Sequence, residues 1–342
     1  MFVRSAALAA VLIAGWAVSA EARDQIRIVG SSTVFPFATA VAEEFGKTSS
    51  FKTPIVESTG TGGGLKLFCA GVGIDHTDIA NASRRIESSE IETCAENGVT
   101  EIVEVKIGFD GIVVANSRAA GGIDLSLRQL YLALAKDVPV GGQIVANPYE
   151  KWSELGAGLP DIPIAVFGPP PTSGTRDAFV ELAMDGGCKG IAELDALKES
   201  DVTRHKAVCQ TLREDGAFIE AGENDNLIVQ KLAADPNAFG IVGYSFLDQN
   251  IDTIQGSRIA GAEPTFDAIA AGTYPLSRPL FFYVKKAHLG LVPGIAEYLA
   301  EFTSDKAMGE EGYLADKGLI PLPDDQRNQS RESATLMTPL SM

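Results

Sequence analysis

Two hydrophobic patterns alternate along the chain. Short apolar runs such as IRIVG (26–30), IPIAVFG (162–168) and SRPLFFYVKK (277–286) predict strands. Between them, apolar residues three or four apart predict amphipathic helices. In FPFATAVAEEFGK, Phe37, Val41 and Phe45 share one helical face, and Pro36 sits in the first turn, where no intrahelical N–H is needed. TPIVEST and GLKLFCAG predict the next strand and helix; TDIANAS and ESSEIETCAENG repeat the pair, with Ser and Glu caps at the helix start and Asn97-Gly98 to stop it. Residues 103–117 form one long extended run, interrupted by Gly108 and Gly111. Further on, LSLRQLYLALAKD, TRDAFVELAMDGG and GIAEYLAEFTS predict helices, and residues 222–247 read as helix, a turn at Pro236-Asn237, then strand. The polar tail after Pro323 shows no pattern and is expected to be loosely ordered. Repeated strand-to-helix alternation predicts an α/β architecture.

Where predicted strands stop, the polar residues are of one chemical kind. Four turns, GSSTV (30–34), STGTGGG (58–64), NASRR (81–85) and PTSGTR (171–176), carry Ser, Thr or Gly at their centres and lead into or toward a helix. Each offers unpaired backbone N–H groups with the positive end of a helix dipole behind them. Hydroxyls add donors that rotate to suit, and glycine lets backbone approach an oxygen closely. Open α/β sheets hold ligands at the carboxyl ends of their strands, so converging turns would cage an oxyanion with neutral donors. The second turn is not a nucleotide loop, because Leu65 stands where both the Walker A and the G-x-G-x-x-G patterns need glycine. Arg84 and Arg176 directly follow two of the turns and are placed to fork onto tetrahedral oxygens. Asp110, between Gly108 and Gly111, is the candidate acceptor: a carboxylate repels an oxyanion unless that anion brings a proton to donate, as phosphate does and sulfate does not.

Composition narrows the partners. The formal net charge of −17 argues against nucleic acid or an anionic membrane surface, while leaving room for a small anion held by local donors. Met1 to Arg4 followed by AALAAVLIAGWAV, then small residues around Ala20 and Ala22, reads as a cleaved export signal over 1–22. The apolar run is shorter than the roughly 20 residues of a membrane span, and no cysteine near the cleavage site suggests a lipid anchor. Cys69, Cys94, Cys188 and Cys209 then suggest two disulfides with three connectivities open, of which the local pairing closes the shortest loops. No C-x-x-C and only three scattered histidines speak against a zinc site.

The ordered set GSSTVFPF, STGTGGGLK, DIANASR, GFDGIVVANS, SGTRDAF, PNAFGIVGYSFL and YPLSRPLFFYV resembles the periplasmic phosphate-binding proteins of ABC-type phosphate-specific transport systems. The likeness runs from about Ile26 to the final helices. It implies an α/β type II periplasmic binding protein with two lobes and a ligand cleft between them. Lobe one would comprise 23–112 and 279–342, and lobe two 113–278, with crossings near Ile112–Ala115 and Leu276–Pro279. The implied phosphate ligands are Ser32, Thr33, Val34, Thr61, Gly62, Gly63, Ser83 and Arg84 from one lobe, and Ser173, Gly174 and Thr175 from the other. Some relatives carry an arginine four residues before the SGT serine; here Pro169 stands there, leaving the positive charge to Arg176 or Arg84. Some carry an aspartate where Ser83 falls, which moves the proton-accepting role to Asp110. The expected activity is reversible phosphate binding and delivery to membrane permease subunits by a monomer, without enzymatic turnover or cofactor. A rival is the same fold holding sulfate or molybdate; another is a secreted scavenger or adhesin that meets no transporter. An exported phosphatase or esterase is disfavoured, since no G-x-S-x-G elbow is present and His76, His205 and His288 lie outside every motif.

Overall fold

The computed structural model describes residues 23–171, 173–222 and 225–340; the expected signal over 1–22 lies outside them. Strands β1 (Arg27–Gly30), β2 (Ile55–Ser58) and β3 (Ile79–Ala82) are parallel, with β1 central, and helices α1 (Phe35–Thr48) and α2 (Thr61–Phe68) make the crossovers. Helix α3 (Ser88–Glu96) starts with Glu87, not a serine, at its N-cap; the Glu90 carboxylate accepts the Glu87 N–H at 2.9 Å, and the Glu90 N–H donates to Glu87 O at 3.0 Å. The long run becomes β4 (Ile102–Ser117), 16 residues in one strand.

Next come β5 (Asp124–Leu125), α4 (Leu127–Leu134), β6 (Asp137–Val140), β7 (Gln143–Ala146) and β8 (Val166–Gly168). Helix α5 (Gly174–Phe179) passes through a π turn (Val180–Met184) into α6 (Asp185–Cys188), followed by α7 (Ala192–Ser200) and α8 (Val202–Gln210). The remaining strands are β9 (Phe218–Glu220), β10 (Phe239–Gly243), β11 (Ile254–Gly256), β12 (Arg258–Ile259) and β13 (Ser277–Lys285). Nine strands form one mixed sheet in the order β2-β1-β3-β13-β4-β10-β8-β9, with β11 also paired to β4.

β4 changes partners part-way along. Residues 102–111 pair antiparallel with β13, whereas 112–117 pair with β10 and β11. At the changeover the Ile112 N–H donates to Leu276 O at 2.9 Å, just before β13 begins. Side chains alternate across the sheet as a period of two requires: Phe282 and Val284 pack with α1 residues Val41 and Phe45, while Phe281 and Tyr283 pack with α2 residues Leu65 and Phe68. Beyond the changeover, Val113 and Ala115 pack with Ile228, Leu232 and Val242. Full burial of a side chain such as Phe282 stabilises by roughly 2–3 kcal/mol.

The disulfides are Cys69–Cys94, joining the end of α2 to α3, and Cys188–Cys209, joining α6 to α8. Each closes a local loop, worth about 3 kcal/mol in the chain-entropy picture. The tail departs from expectation. Residues Asp324–Leu336 form a helix, and the Leu340 N–H then donates to Ile102 O at 2.8 Å. That helix has no apolar stripe to announce it; it is fixed by polar contacts, with Arg331 Nε donating to Thr303 O at 3.0 Å and Lys106 Nζ to Gln326 at 2.8 Å.

Candidate functional site

Glycines bring the first three turns together. At Gly30, φ is +130°, and an added Cβ would lie 2.1 Å from Asn81 O; at Gly64 it would lie 2.3 Å from the Gly30 Cα. No side chain fits at either place, so β1, β3 and α2 approach backbone to backbone. Gly60, at φ +72°, turns the chain into α2, leaving Thr61, Gly62 and Gly63 as the first helical residues, whose N–H groups have no carbonyl one turn back. Thr61 Oγ1 lies 2.9 Å from Ser83 Oγ and accepts the Ser83 N–H at 3.1 Å. The first turn is braced by Ser31, whose Oγ accepts the Val34 N–H at 3.3 Å.

The fourth turn meets the first directly. Ser173 caps α5 by accepting the Thr175 N–H at 3.2 Å. Thr33 Oγ1 donates to Gly174 O at 3.4 Å, and the Ser32 hydroxyl donates to the Asp177 carboxylate. A Cβ on Gly174 would come 2.9 Å from the Thr33 Cα. Two adjoining cavities of about 350 Å³ each share Ser32 and Thr33 in their walls. One is walled by Thr61, Ser83, Arg176, Asp177 and Glu181; the other by Asp110, Ser173, Gly174 and Thr175. The four turns therefore converge, with the first as their common member.

The expected cations sit differently. Arg84 lines neither cavity and forks onto Glu90 at 2.8 and 2.9 Å, where Glu90 is folded back to accept the Glu87 N–H. Arg176 reaches the cavity wall but pairs with Glu220 at 2.9 Å and lies over the Phe218 ring. The cation buried beside the first turn is Arg278 of β13, side chain 8% exposed, directly opposite Asp110 in the ladder. Its Nη2 donates to Thr33 Oγ1 at 2.8 Å, its Nε stands 3.4 Å from Asp110 Oδ2, and its Nη1 pairs with Glu181. Burial pushes the Asp110 carboxyl above the usual carboxylate range, with Arg278 pulling the other way. Val34 belongs to the core, fully buried, and Gly62 and Gly63 lie on the outer side of the first α2 turn, where an added Cβ at Gly62 meets nothing.

A family model described as a PBP superfamily domain matches residues 17–306. The chain belongs to the PBP superfamily. It is 30% identical over 264 residues to Protein SphX of Synechococcus elongatus, covering 75% of this chain and 67% of the relative. It is 27% identical over 315 residues to the phosphate-binding protein PstS of Staphylococcus saprophyticus, covering 90% and 84%. A crystal structure from Planctomyces limnophilus, "a possible phosphate binding protein", superposes with a TM-score of 0.73 at 30% identity, covering 91% of this chain and 98% of that one. Its fold is thus the two-lobed α/β arrangement of periplasmic binding proteins.

In this PBP-superfamily chain, sequence reasoning missed three charged residues at the junction: Asp177, Glu181 and Arg278. Arg278 carried a signal, as an ionisable residue just before the apolar run PLFFYV. Asp177 and Glu181 are four apart, one helical turn, and therefore share the face that α5 and its π turn direct at the cavity.

Proposed function

We propose that the protein is an exported receptor that binds inorganic phosphate reversibly between two lobes and delivers it to the permease subunits of an ABC transporter, without chemical turnover. The observation that carries this reading is the meeting of four hydroxyl-and-glycine turns at Ser32 and Thr33, three of them from the β1–β3 unit and one from α5. The kinship with a phosphate-binding PstS supports it. The change of partners along β4, between residues 111 and 112, supports a division into lobes of 23–112 with 279–342, and 113–278. A signal over 1–22, removed on export without a lipid anchor, and action as a periplasmic monomer that binds no nucleic acid complete the proposal.

In this reading the Thr61, Gly62 and Gly63 N–H groups and the Ser32, Thr33, Thr61 and Ser83 hydroxyls present donors from one lobe, and Ser173, Gly174 and Thr175 from the other. Arg278 supplies the positive charge from behind Thr33, in place of Arg84. The carboxylates set selectivity. Asp177 sits on the same Ser32 hydroxyl that an anion needs, and Asp110 faces the adjoining cavity. Protonated phosphate can donate to either, whereas sulfate meets only repulsion.

Calorimetric titration of the mature, ligand-stripped protein tests this. Phosphate is expected to bind stoichiometrically at one site, with sulfate at least 100-fold weaker, about 2.7 kcal/mol. Equal affinity for sulfate would take the carboxylates out of the selectivity, and no heat with phosphate would remove the function.

A further inference from the structure

Every arginine around the junction already has a carboxylate partner. Arg84 is paired with Glu90, Arg176 with Glu220, and Arg278 with Glu181 and Asp110. An incoming anion meets Asp177 and Glu181 on the wall of the cavity that holds Thr61 and Ser83, in a chain of net charge −17. One further cation lines that wall. Lys206 of α8 is exposed and, among the described residues, makes no ion pair.

Its position is fixed although its side chain is free. The Asp201 side chain caps α8 by accepting the Arg204 N–H at 2.9 Å, five residues before Lys206 on the helix entry, and Cys209 is locked to α6 by its disulfide with Cys188. Gln210, on the same cavity wall, donates to Asp185 at 2.8 Å. The helix is therefore tied to α6 at its C-terminal end, and Lys206 stands one turn before those ties on the cavity wall. A long, flexible ammonium there reaches toward an oxyanion without committing three donors to a protein partner.

We infer that Lys206 is an anion-recruiting residue of this site, taking an inorganic oxyanion at the mouth and offsetting the Asp177 and Glu181 charges as it enters. The inference rests on the phosphate reading above. It gives the disulfide Cys188–Cys209 a place in function, since that bond anchors the helix bearing the charge.

Equilibrium dialysis of radiolabelled phosphate against the mature protein at low and high salt tests it. Lys206→Glu is expected to weaken binding about tenfold at 20 mM salt or so, and only about twofold near 0.5 M, where the Debye length has shrunk to a few ångströms. Lys206→Gln, which removes the charge without reversing it, should show roughly a threefold loss with the same salt trend. Lys198→Glu on α7 is the control: it makes the same change in net charge at an exposed lysine outside the cavity, and should alter affinity by less than about twofold. A Lys206→Glu effect equal to that of Lys198→Glu, or one indifferent to salt, would overturn the inference while leaving the phosphate reading intact. Wild-type protein that retains no phosphate would overturn the reading itself.

Discussion

Gly64 and Gly174 occupy comparable places, each near the start of a helix that follows a hydroxyl-rich turn, and each pressed against the first turn. A Cβ at Gly64 would stand 2.3 Å from the Gly30 Cα, and one at Gly174 would stand 2.9 Å from the Thr33 Cα and 3.0 Å from Ser32 O. What surrounds the two contacts differs. The Gly64 contact lies inside a continuous unit, sealed by the β1–β3 ladder, by the Thr61–Ser83 bonds and by Leu65 and Phe68 in the core. The Gly174 contact joins parts of the chain that meet through a few polar links: Ser32 with Asp177, Thr33 with Gly174, and Arg278 with both Thr33 and Glu181. One interface is built to stay; the other is built of contacts that can exchange with solvent or with an anion.

The same substitution therefore breaks the two contacts differently. Gly64→Ala forces overpacking where backbone meets backbone, and is expected to cost about 3 kcal/mol of stability, read as a lower midpoint in urea with the slope unchanged. Gly174→Ala wedges the junction apart without disturbing either core. It should leave the denaturation midpoint within about 0.5 kcal/mol of wild type, as for substitutions outside a core, yet weaken phosphate binding about tenfold, or 1.4 kcal/mol. If Gly174→Ala destabilised the fold as much as Gly64→Ala, the two interfaces would be of one kind.

How much was legible in the sequence follows the same division. Interactions local in sequence showed through: Phe37, Val41 and Phe45 as one face of α1, a glutamate at the start of α3 bonding its first N–H, and the short-range disulfides as the pairing with the shortest loops. The turns were readable because Gly, Ser and Thr announce their own backbone and hydrogen-bonding needs. Side-chain partnerships across long separations were not. Arg278 meets Thr33 across 245 positions, and nothing in SRPLFFYV says which turn its guanidinium will support. Arg84 illustrates the converse: its position after Ser83 suggested an anion, but Glu90, one turn into the next helix, claims it first. The terminal helix Asp324–Leu336 escaped notice because its stability comes from partners such as Thr303 and Lys106 rather than from an apolar stripe.

The central claim is that one anion engages both sides of the Ser32–Thr33 junction at once. Amide NMR during a phosphate titration addresses it residue by residue. The N–H signals of Thr61, Gly62 and Gly63 on one side, and of Gly174 and Thr175 on the other, should shift together along a single binding curve with one midpoint. Movement confined to one set, or two sets with different midpoints, would contradict a shared ligand.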